Sequence, residues 1–359
     1  MTHTDLSCQY FPVCPGCALQ KQVASPPVAS RLRETMRFNI VHDNVVGWRT
    51  RSKLAVRNQG QTGLFKRGSH HIIDIQHCPL HHEAIHQAIY WLKIKIQACG
   101  ISSYDESTRR GVLRYVQFVV ERRTGLVQLT LVVTEPQCLK NFISALWDQG
   151  VWHSIWVNIQ PEPSNKIFGD RWILAVGKEF VMETLGGNVI AFHPACFGQA
   201  NPFIFEKMLT SIREHILPEK KVLEYYAGVG VIGLSIAAKS KSVLMVEINP
   251  FSKKGFEHST PHSNTYYIEA DINNALHYLN EANVVMADPP RKGLPLNFIE
   301  ALTASPVEQL IYMSCGPDSF QRDCALLFER GWQMAHLEGY LLFPGTDHLE
   351  MLGFFKRGK

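Results

Sequence analysis

The polarity pattern changes character about halfway along the chain. Up to about residue 190, apolar positions recur in short, often alternating runs. From about residue 193, compact apolar runs alternate with stretches of helical period. Alternation marks strands with one buried face, and compact apolar runs closed by turns mark strands buried on both faces of a parallel sheet. In the first part, residues 47–75 predict a hairpin-like β unit turning at Gln59-Gly60, and residues 81–100 an amphipathic helix ending at Cys99-Gly100. Runs 113–121 and 126–134, joined by Arg122-Arg123-Thr124-Gly125, predict a hairpin. A helix over 138–149 and strands over 154–160, 172–175 and 180–184 complete an α+β domain, residues 1–190, rich in antiparallel strand.

In the second part, Pro202 is placed to open a helix over 203–216. Strands are predicted at 222–227, 242–248, 266–271, 283–287 and 309–314, with helices at 231–238, 296–303 and 319–329. Strands 332–341 and 349–356 close the chain. Residues 191–359 therefore read as a doubly wound α/β domain with a final antiparallel addition.

Composition fits two soluble domains: 359 residues, 45% hydrophobic and 19% charged. No apolar run reaches the ~18 residues of a membrane span. The opening Met1-Thr-His-Thr-Asp-Leu-Ser-Cys8 lacks the basic-then-apolar pattern of a signal peptide. A cytoplasmic location, no membrane association and no obligate protein partner are the expectations. The nine cysteines are then reduced, catalytic or metal-bound rather than disulfide-bonded.

Charge is uneven. Residues 1–120 carry 15 Lys/Arg against 7 Asp/Glu, and the remainder 21 against 25. A basic first third suits a polyanion, although a solvated basic face gives the same count. Arg49, Arg51 and Lys53 alternate along one strand, Lys66 and Arg67 follow, and Trp48 and Phe65 stand close by in sequence. Such a surface suits RNA, with phosphates on the cations and bases stacked on the rings.

Cys8, Cys14 and Cys17 form a C-x5-C-x2-C run, and Cys78, followed by Pro like Cys14, is the best fourth member. Four thiolates suit a structural zinc or an iron–sulfur cluster.

The second domain carries the chemistry. Glu224-Tyr225-Tyr226-Ala227-Gly228-Val229-Gly230 passes from strand to helix, and its glycines allow close backbone approach to a nucleoside. Glu247 ends the next strand, where a carboxylate takes ribose hydroxyls, and Asp271 the one after, within reach of an adenine amino group. With no lysine in the Gly loop, this favours S-adenosylmethionine over a phosphorylated cofactor. Asp288-Pro-Pro-Arg291 and Ser314-Cys315-Gly316 each follow an apolar run, so a carboxylate and a thiol reach neighbouring strand ends. That pairing suits covalent chemistry on an electrophilic ring.

Taken with Phe197-x-Gln199-x-Asn201-Pro202 and His348-x-Glu350, these motifs resemble the RNA 5-methyluridine (uracil-C5) methyltransferases, and the Cys8/Cys14/Cys17/Cys78 set resembles their iron–sulfur-cluster branch. The resemblance covers nearly the whole chain. It implies an N-terminal α+β cluster-bearing, RNA-binding domain and a C-terminal Rossmann-like S-adenosylmethionine methyltransferase domain. It implies a [4Fe-4S] cluster on the four cysteines. Gln199, Tyr226, Gly228, Glu247, Asp271 and Asp288 would serve the cofactor and base site, Cys315 would be the nucleophile and Glu350 the base. The implied reaction adds a thiolate of lowered pKa to uracil C6, methylates C5 and removes the C5 proton, on a uridine held outside a helix stack. The cluster branch points first to 23S rRNA, with tRNA as the alternative.

The chain departs from the family pattern at Gly316 (usually Asn), Glu224 (often Asp) and Val231 (often Asn). Residues 250–264, with two prolines, lack the regular Ala/Asn-rich helix of relatives, and no oligonucleotide-binding barrel is expected before Cys8. Two rival readings remain. Amino-group methylation wants an aromatic where Arg291 stands. A metal-bearing RNA-binding protein with a degenerate methyltransferase domain would need neither Cys315 nor Glu350.

Overall fold

The chain enters and leaves its two structural units more than once. In the computed structural model, which describes residues 5–137, 139–164 and 166–358, one unit comprises residues 5–21, 44–183 and 199–201. The other comprises residues 22–43, 184–198 and 202–358. The chain leaves the first unit close to the expected boundary at 190, but a single cut there misplaces residues 22–43.

Those residues form helix α1 (Pro27–Arg33) and strand β1 (Asn39–Val41). They join the second unit because β1 pairs in parallel with Glu338–Tyr340 and Asp347 Oδ1 accepts the Val28 N–H at 2.7 Å. Neither element has a periodic signature of its own. A seven-residue helix and a three-residue strand exist only because a sheet edge receives them.

The first unit holds β2 (Arg51–Arg57), β3 (Gln61–Phe65), β4 (Ile72–Asp74), α2 (Glu83–Ala98), β5 (Leu113–Val120), β6 (Val127–Val133), α3 (Lys140–Trp147), β7 (Trp152–Ile159) and β8 (Arg171–Gly177). The sheet order is β4-β3-β2-β5-β6-β7-β8. The β5–β6 hairpin is as expected, but β7 pairs with β6 in parallel, which α3 permits by carrying the chain across. Ile85, Ile89, Leu92 and Ile96 of α2 pack with Phe142 and Leu146 of α3 onto Leu129, Leu131 and Ile155 of the sheet. Cys138, at the expected start of α3, and residues 1–4 lie outside the described residues.

β9 (Val181–Leu185) runs across the division and reverses at Gly186-Gly187, both with positive φ, into β10 (Asn188–Phe192). The second unit continues through α4 (Pro202–His215), β11 (Lys221–Tyr225), α5 (Val231–Ile236), β12 (Ser242–Glu247), α6 (Pro250–His258), β13 (Thr265–Glu269), α7 (Ile272–Ala275), β14 (Val284–Ala287), α8 (Leu296–Ala304), β15 (Gln309–Ser314), α9 (Pro317–Glu329), β16 (Trp332–Tyr340) and β17 (Glu350–Arg357). Its sheet runs β1-β16-β17-β15-β14-β11-β12-β13. One hydrophobic cluster, with Met208, Leu234 and Phe256, and another, with Leu32, Phe298 and Phe320, bury its apolar residues.

The irregular stretch expected after residue 250 is instead a helix, α6. Pro250 sits at its first position, and the Asn249 side chain caps it by accepting the Phe251 N–H at 3.0 Å. Proline costs nothing there because that N–H has no helical partner. The second proline, Pro261, lies past the helix end.

This topology builds the site. β11, β12, β14 and β15 are mutually parallel, so their C-terminal ends share one edge. β17 is antiparallel to β15, so its first residue, Glu350, arrives at that same edge.

Candidate active site

The β15–β17 register pairs Ser314 with Met351. Cys315 directly follows Ser314 and Glu350 directly precedes Met351, so both stand at this edge, and the Glu350 charge acts on the Cys315 thiol. Cys315 is partly exposed, whereas Glu350 is 5% exposed. Burial pushes the Glu350 carboxyl well above the usual range; the Asp288 charge adds to this and Arg291 opposes it. Burial pushes Asp288 up as well. With Glu350 buried and Asp288 half-buried beside it, the two carboxyls do not both ionise readily, so the pair is disposed to keep a proton at neutral pH.

Burial also raises the Cys315 thiol. The Glu350 and Asp288 charges push the same way, and Arg291 pulls down. The lowered thiol pKa expected from the chemistry is therefore absent from this arrangement. The reason is physical: burial disfavours the thiolate first, and two acids outweigh one guanidinium in adding to it. A proton held by the acid pair weakens the repulsion that a thiolate would meet.

The turn carrying Asp288 and Arg291 is tied down from α9. Asp323, fully buried, accepts the Leu294 N–H at 2.8 Å and the Tyr312 hydroxyl at 2.6 Å, and pairs with Arg322. Arg322 also donates to the Lys292 carbonyl at 2.7 Å. The Ser319 hydroxyl reaches the Arg291 and Gly316 carbonyls at 3.0 and 2.8 Å. Gly293 has φ +79° with Asp323 packed against it, so a side chain fits neither the conformation nor the space. Asp347 acts on His348 beside it and also accepts the Val28 N–H at the N-terminal end of α1.

The nucleoside-type loop follows β11. Tyr226 takes φ +60°, a strained value for a non-glycine, and Gly228 and Gly230 are also left-handed. Glu247 Oε2 accepts the Gly228 N–H at 3.0 Å, and Oε1 accepts the Ile248 and Asn249 N–H groups at 2.9 and 3.0 Å. The carboxylate thus shapes the loop as well as standing beside it. Asp271 caps α7 through the Asn273 N–H at 2.8 Å, the ordinary role its position allows. Tyr226 lies near both acids: burial raises its hydroxyl, and the Asp271 and Glu247 charges raise it further.

Glu224, 2% exposed, accepts the Gly233 N–H at 2.8 Å, and burial pushes it up to about 8. Any Cβ at position 233 would come within 2.5 Å of that carboxyl, so Gly233 sets how closely α5 approaches β11. Gln199 belongs by its contacts to the other unit, with Ala200, whose carbonyl accepts the Thr50 N–H at 2.9 Å.

Sequence reasoning missed Tyr267, whose hydroxyl donates to the Gly228 carbonyl at 2.6 Å, and Asp323. Asp323 had a signal: it interrupts the apolar stripe Phe320, Cys324, Leu327 of α9, where a carboxylate survives only with partners.

In the first unit, Cys8, Cys14, Cys17 and Cys78 line one cavity of about 90 Å³. Burial pushes the Cys17 thiol up to about 12, with Cys78, Cys14 and Cys8 each adding to the rise. Among the described residues, however, no group of three or more His, Cys, Asp or Glu side chains is set to hold a metal ion. The four cysteines share that cavity.

The expected basic RNA face is also redrawn. Trp48 is 2% exposed and unavailable for stacking. The Arg49 guanidinium lies 4.8 Å over its ring and lines the cysteine cavity. Lys53 stays exposed but reaches the Phe168 ring at 4.6 Å. Arg57 and Arg114 are buried and donate to the Arg114 and Gln160 carbonyls, both at 2.7 Å. Part of the positive surplus therefore holds the fold rather than facing solvent.

No family model matches the chain. It is 40% identical over 376 residues, with 98% of both chains covered, to an uncharacterized RNA methyltransferase of Protochlamydia amoebophila. The chain belongs to the RNA methyltransferases. A second such relative, from Listeria innocua, is 27% identical to this methyltransferase over 372 residues, covering 96% of this chain and 82% of the relative. Among solved structures, the fold is similar to that of the Pyrococcus abyssi tRNA (uracil-54, C5)-methyltransferase in complex with S-adenosyl-L-homocysteine. The TM-score is 0.79 at 24% identity, with 96% of this chain and 86% of that one covered. The α/β methyltransferase fold is thereby established. Among the described residues, no helix of this RNA methyltransferase is long and apolar enough to cross a membrane.

Proposed function

We propose that this chain methylates C5 of a uridine in RNA, with S-adenosylmethionine as methyl donor. The observation that carries the reading is that the Cys315 thiol feels the charges of Glu350, Asp288 and Arg291 together at one sheet edge. Amino-group methylation has no use for a thiol near a buried acid.

Uracil C5 is a poor nucleophile. Addition of the Cys315 sulfur to C6 places enolate character on C5, which then takes the methyl group from the donor's sulfonium. Glu350, as carboxylate, removes the C5 proton, and the electrons left behind expel the Cys315 sulfur and restore the 5,6 double bond. The Cys315 proton leaves to solvent as the thiolate forms. The proton shared by Asp288 and Glu350 leaves to solvent before the elimination step, and Glu350 is then the free carboxylate that takes the C5 proton. Arg291 offsets the negative charge around the thiolate. Tyr226, Gly228, Glu247 and Asp271 suit the nucleoside part of the donor, and Gln199 is assigned to the cofactor and base site with them.

The four cysteines are proposed to hold a [4Fe-4S] cluster. All four line one cavity, and Cys78, Cys14 and Cys8 each act electrostatically on Cys17, so the four thiols are close enough to serve one group. No redox step is needed, so the cluster acts as a clamp for the Cys8–Cys17 loop and Cys78. The RNA is 23S rRNA on this reading, with tRNA as the alternative.

The test is methyl incorporation into RNA, with 5-methyluridine mapped in cells with and without the gene. Loss of 5-methyluridine at one rRNA position supports the full reading, and loss in tRNA moves the substrate. Unchanged 5-methyluridine with loss of a methylated amino group overturns it.

A further inference from the structure

A second concave site lies on the outer face of α2, away from the cysteine cavity and with a volume of about 460 Å³. That is large enough for a nucleotide-sized ligand. Its walls are aromatic. Tyr90, 60% exposed, and Trp91 meet edge to face at 5.2 Å. His77 and His86 do the same across the groove, also at 5.2 Å. His86 and Tyr90 are four residues apart and share one helix face, which flanks the Ile85, Ile89 and Leu92 face that packs on the sheet, and Ile89 also lines the groove.

The remaining groups supply hydrogen-bonding edges more than charge. The Gln87 and Gln97 amides line the groove. Lys93 is committed to both oxygens of Asp74 at 2.6 and 2.7 Å, and Glu83 to His86 at 3.2 Å. Lys95 stands 5.8 Å from the Trp91 ring. A wall of rings with amide edges and little net charge complements a nucleobase better than a phosphate.

The groove is also held rigid by the cysteine loop. The Tyr10 hydroxyl accepts the Gln76 N–H at 2.9 Å, and His86 Nε2 bonds the Cys78 carbonyl at 2.9 Å. We propose that this groove takes an unstacked nucleobase of the substrate RNA, stacked on Tyr90. The proposal rests on RNA being the substrate. It gives the cysteine clamp a purpose: it fixes the 76–78 wall of a base-binding groove.

The experiment is binding of the full chain to a fluorescent oligoribonucleotide bearing the methylation site, for wild type, Tyr90→Ala and Tyr90→Phe, across a salt series. Tyr90→Ala is expected to weaken binding about tenfold, as loss of one base stack does. Tyr90→Phe should stay within about twofold, since its ring keeps the stack. The slope of log affinity against log salt should be unchanged, because no phosphate contact is lost. S-adenosylmethionine binding and thermal unfolding should match wild type. Wild-type affinity in Tyr90→Ala overturns the proposal, as does a loss confined to low salt. So does a wild-type dimer that Tyr90→Ala converts to monomer, which would assign the patch to a second copy. Failure of the wild type to bind any RNA overturns the substrate assignment and the groove with it.

Discussion

Gly316 lies against the Arg291 carbonyl so closely that a Cβ at position 316 would come 2.7 Å from that oxygen and 2.5 Å from the Ser319 hydroxyl. The departure from Asn to Gly that the sequence showed at this position thus has a structural counterpart. The turn after the nucleophile and the Asp288–Arg291 turn touch through backbone, with no room for a side chain.

Gly316→Ala is therefore expected to push the two turns apart. Methyl transfer should fall by on the order of 10²-fold, as small misplacements of reacting groups do. Unfolding temperature should change little, because both turns sit at the sheet edge. Single-turnover rates with a saturating donor read the effect; an unchanged rate removes the packing argument.

Cys315→Ala should lower methyl transfer by about 10⁴-fold or more, as loss of a nucleophile does in other covalent mechanisms. Donor binding, measured by calorimetry, should persist. Glu350→Gln should stall after methyl transfer and accumulate a protein–RNA adduct on a denaturing gel. That band should vanish in the double variant with Cys315→Ala.

Glu224 gives a pH-dependent prediction. Its folded pKa is raised to about 8 by burial. The folded state thus binds more protons than the unfolded state between about pH 4.5 and 8. Its contribution is complete below the unfolded pKa and is lost as pH rises through the folded one, at up to about 1.4 kcal/mol per pH unit. Glu224→Gln keeps an oxygen for the Gly233 N–H and carries no charge. Denaturant unfolding at pH 5, 7 and 9 should show wild type losing stability relative to this variant as pH rises; parallel curves exclude a raised Glu224.

Cys17 stands nearest the other three thiols in electrostatic effect. Protein purified without oxygen should carry iron and acid-labile sulfide with visible absorbance, all lost in Cys17→Ser. Zinc in place of iron in the wild type would refute the cluster.

The strands and helices of the second unit were legible because a parallel sheet covered on both faces needs compact apolar runs, and these survive in a single sequence. Asp288 and Cys315 stand directly after such a run and Glu350 directly before one, which is how the sequence shows them at strand ends. α6 was misread because two prolines look like breakers until one is seen at the first helical position. The β6–β7 pairing was missed because strand patterns carry no direction. Arg49 and Trp48 were assigned to an RNA face because alternation tells which residues share a side, not what covers it.

The sequence by itself determined the α/β character, the order of strands and helices, and which thiols and carboxylates stand at strand ends. Tertiary structure alone decided that residues 22–43 complete the second unit's sheet and that two acids act on one thiol at its edge. It also decided that Arg57 and Arg114 serve internal carbonyls. Local pattern is set by neighbours three or four positions away, whereas charge state and cross-strand partnership depend on residues tens to hundreds of positions distant. Those are brought together only when the sheet forms and water is excluded.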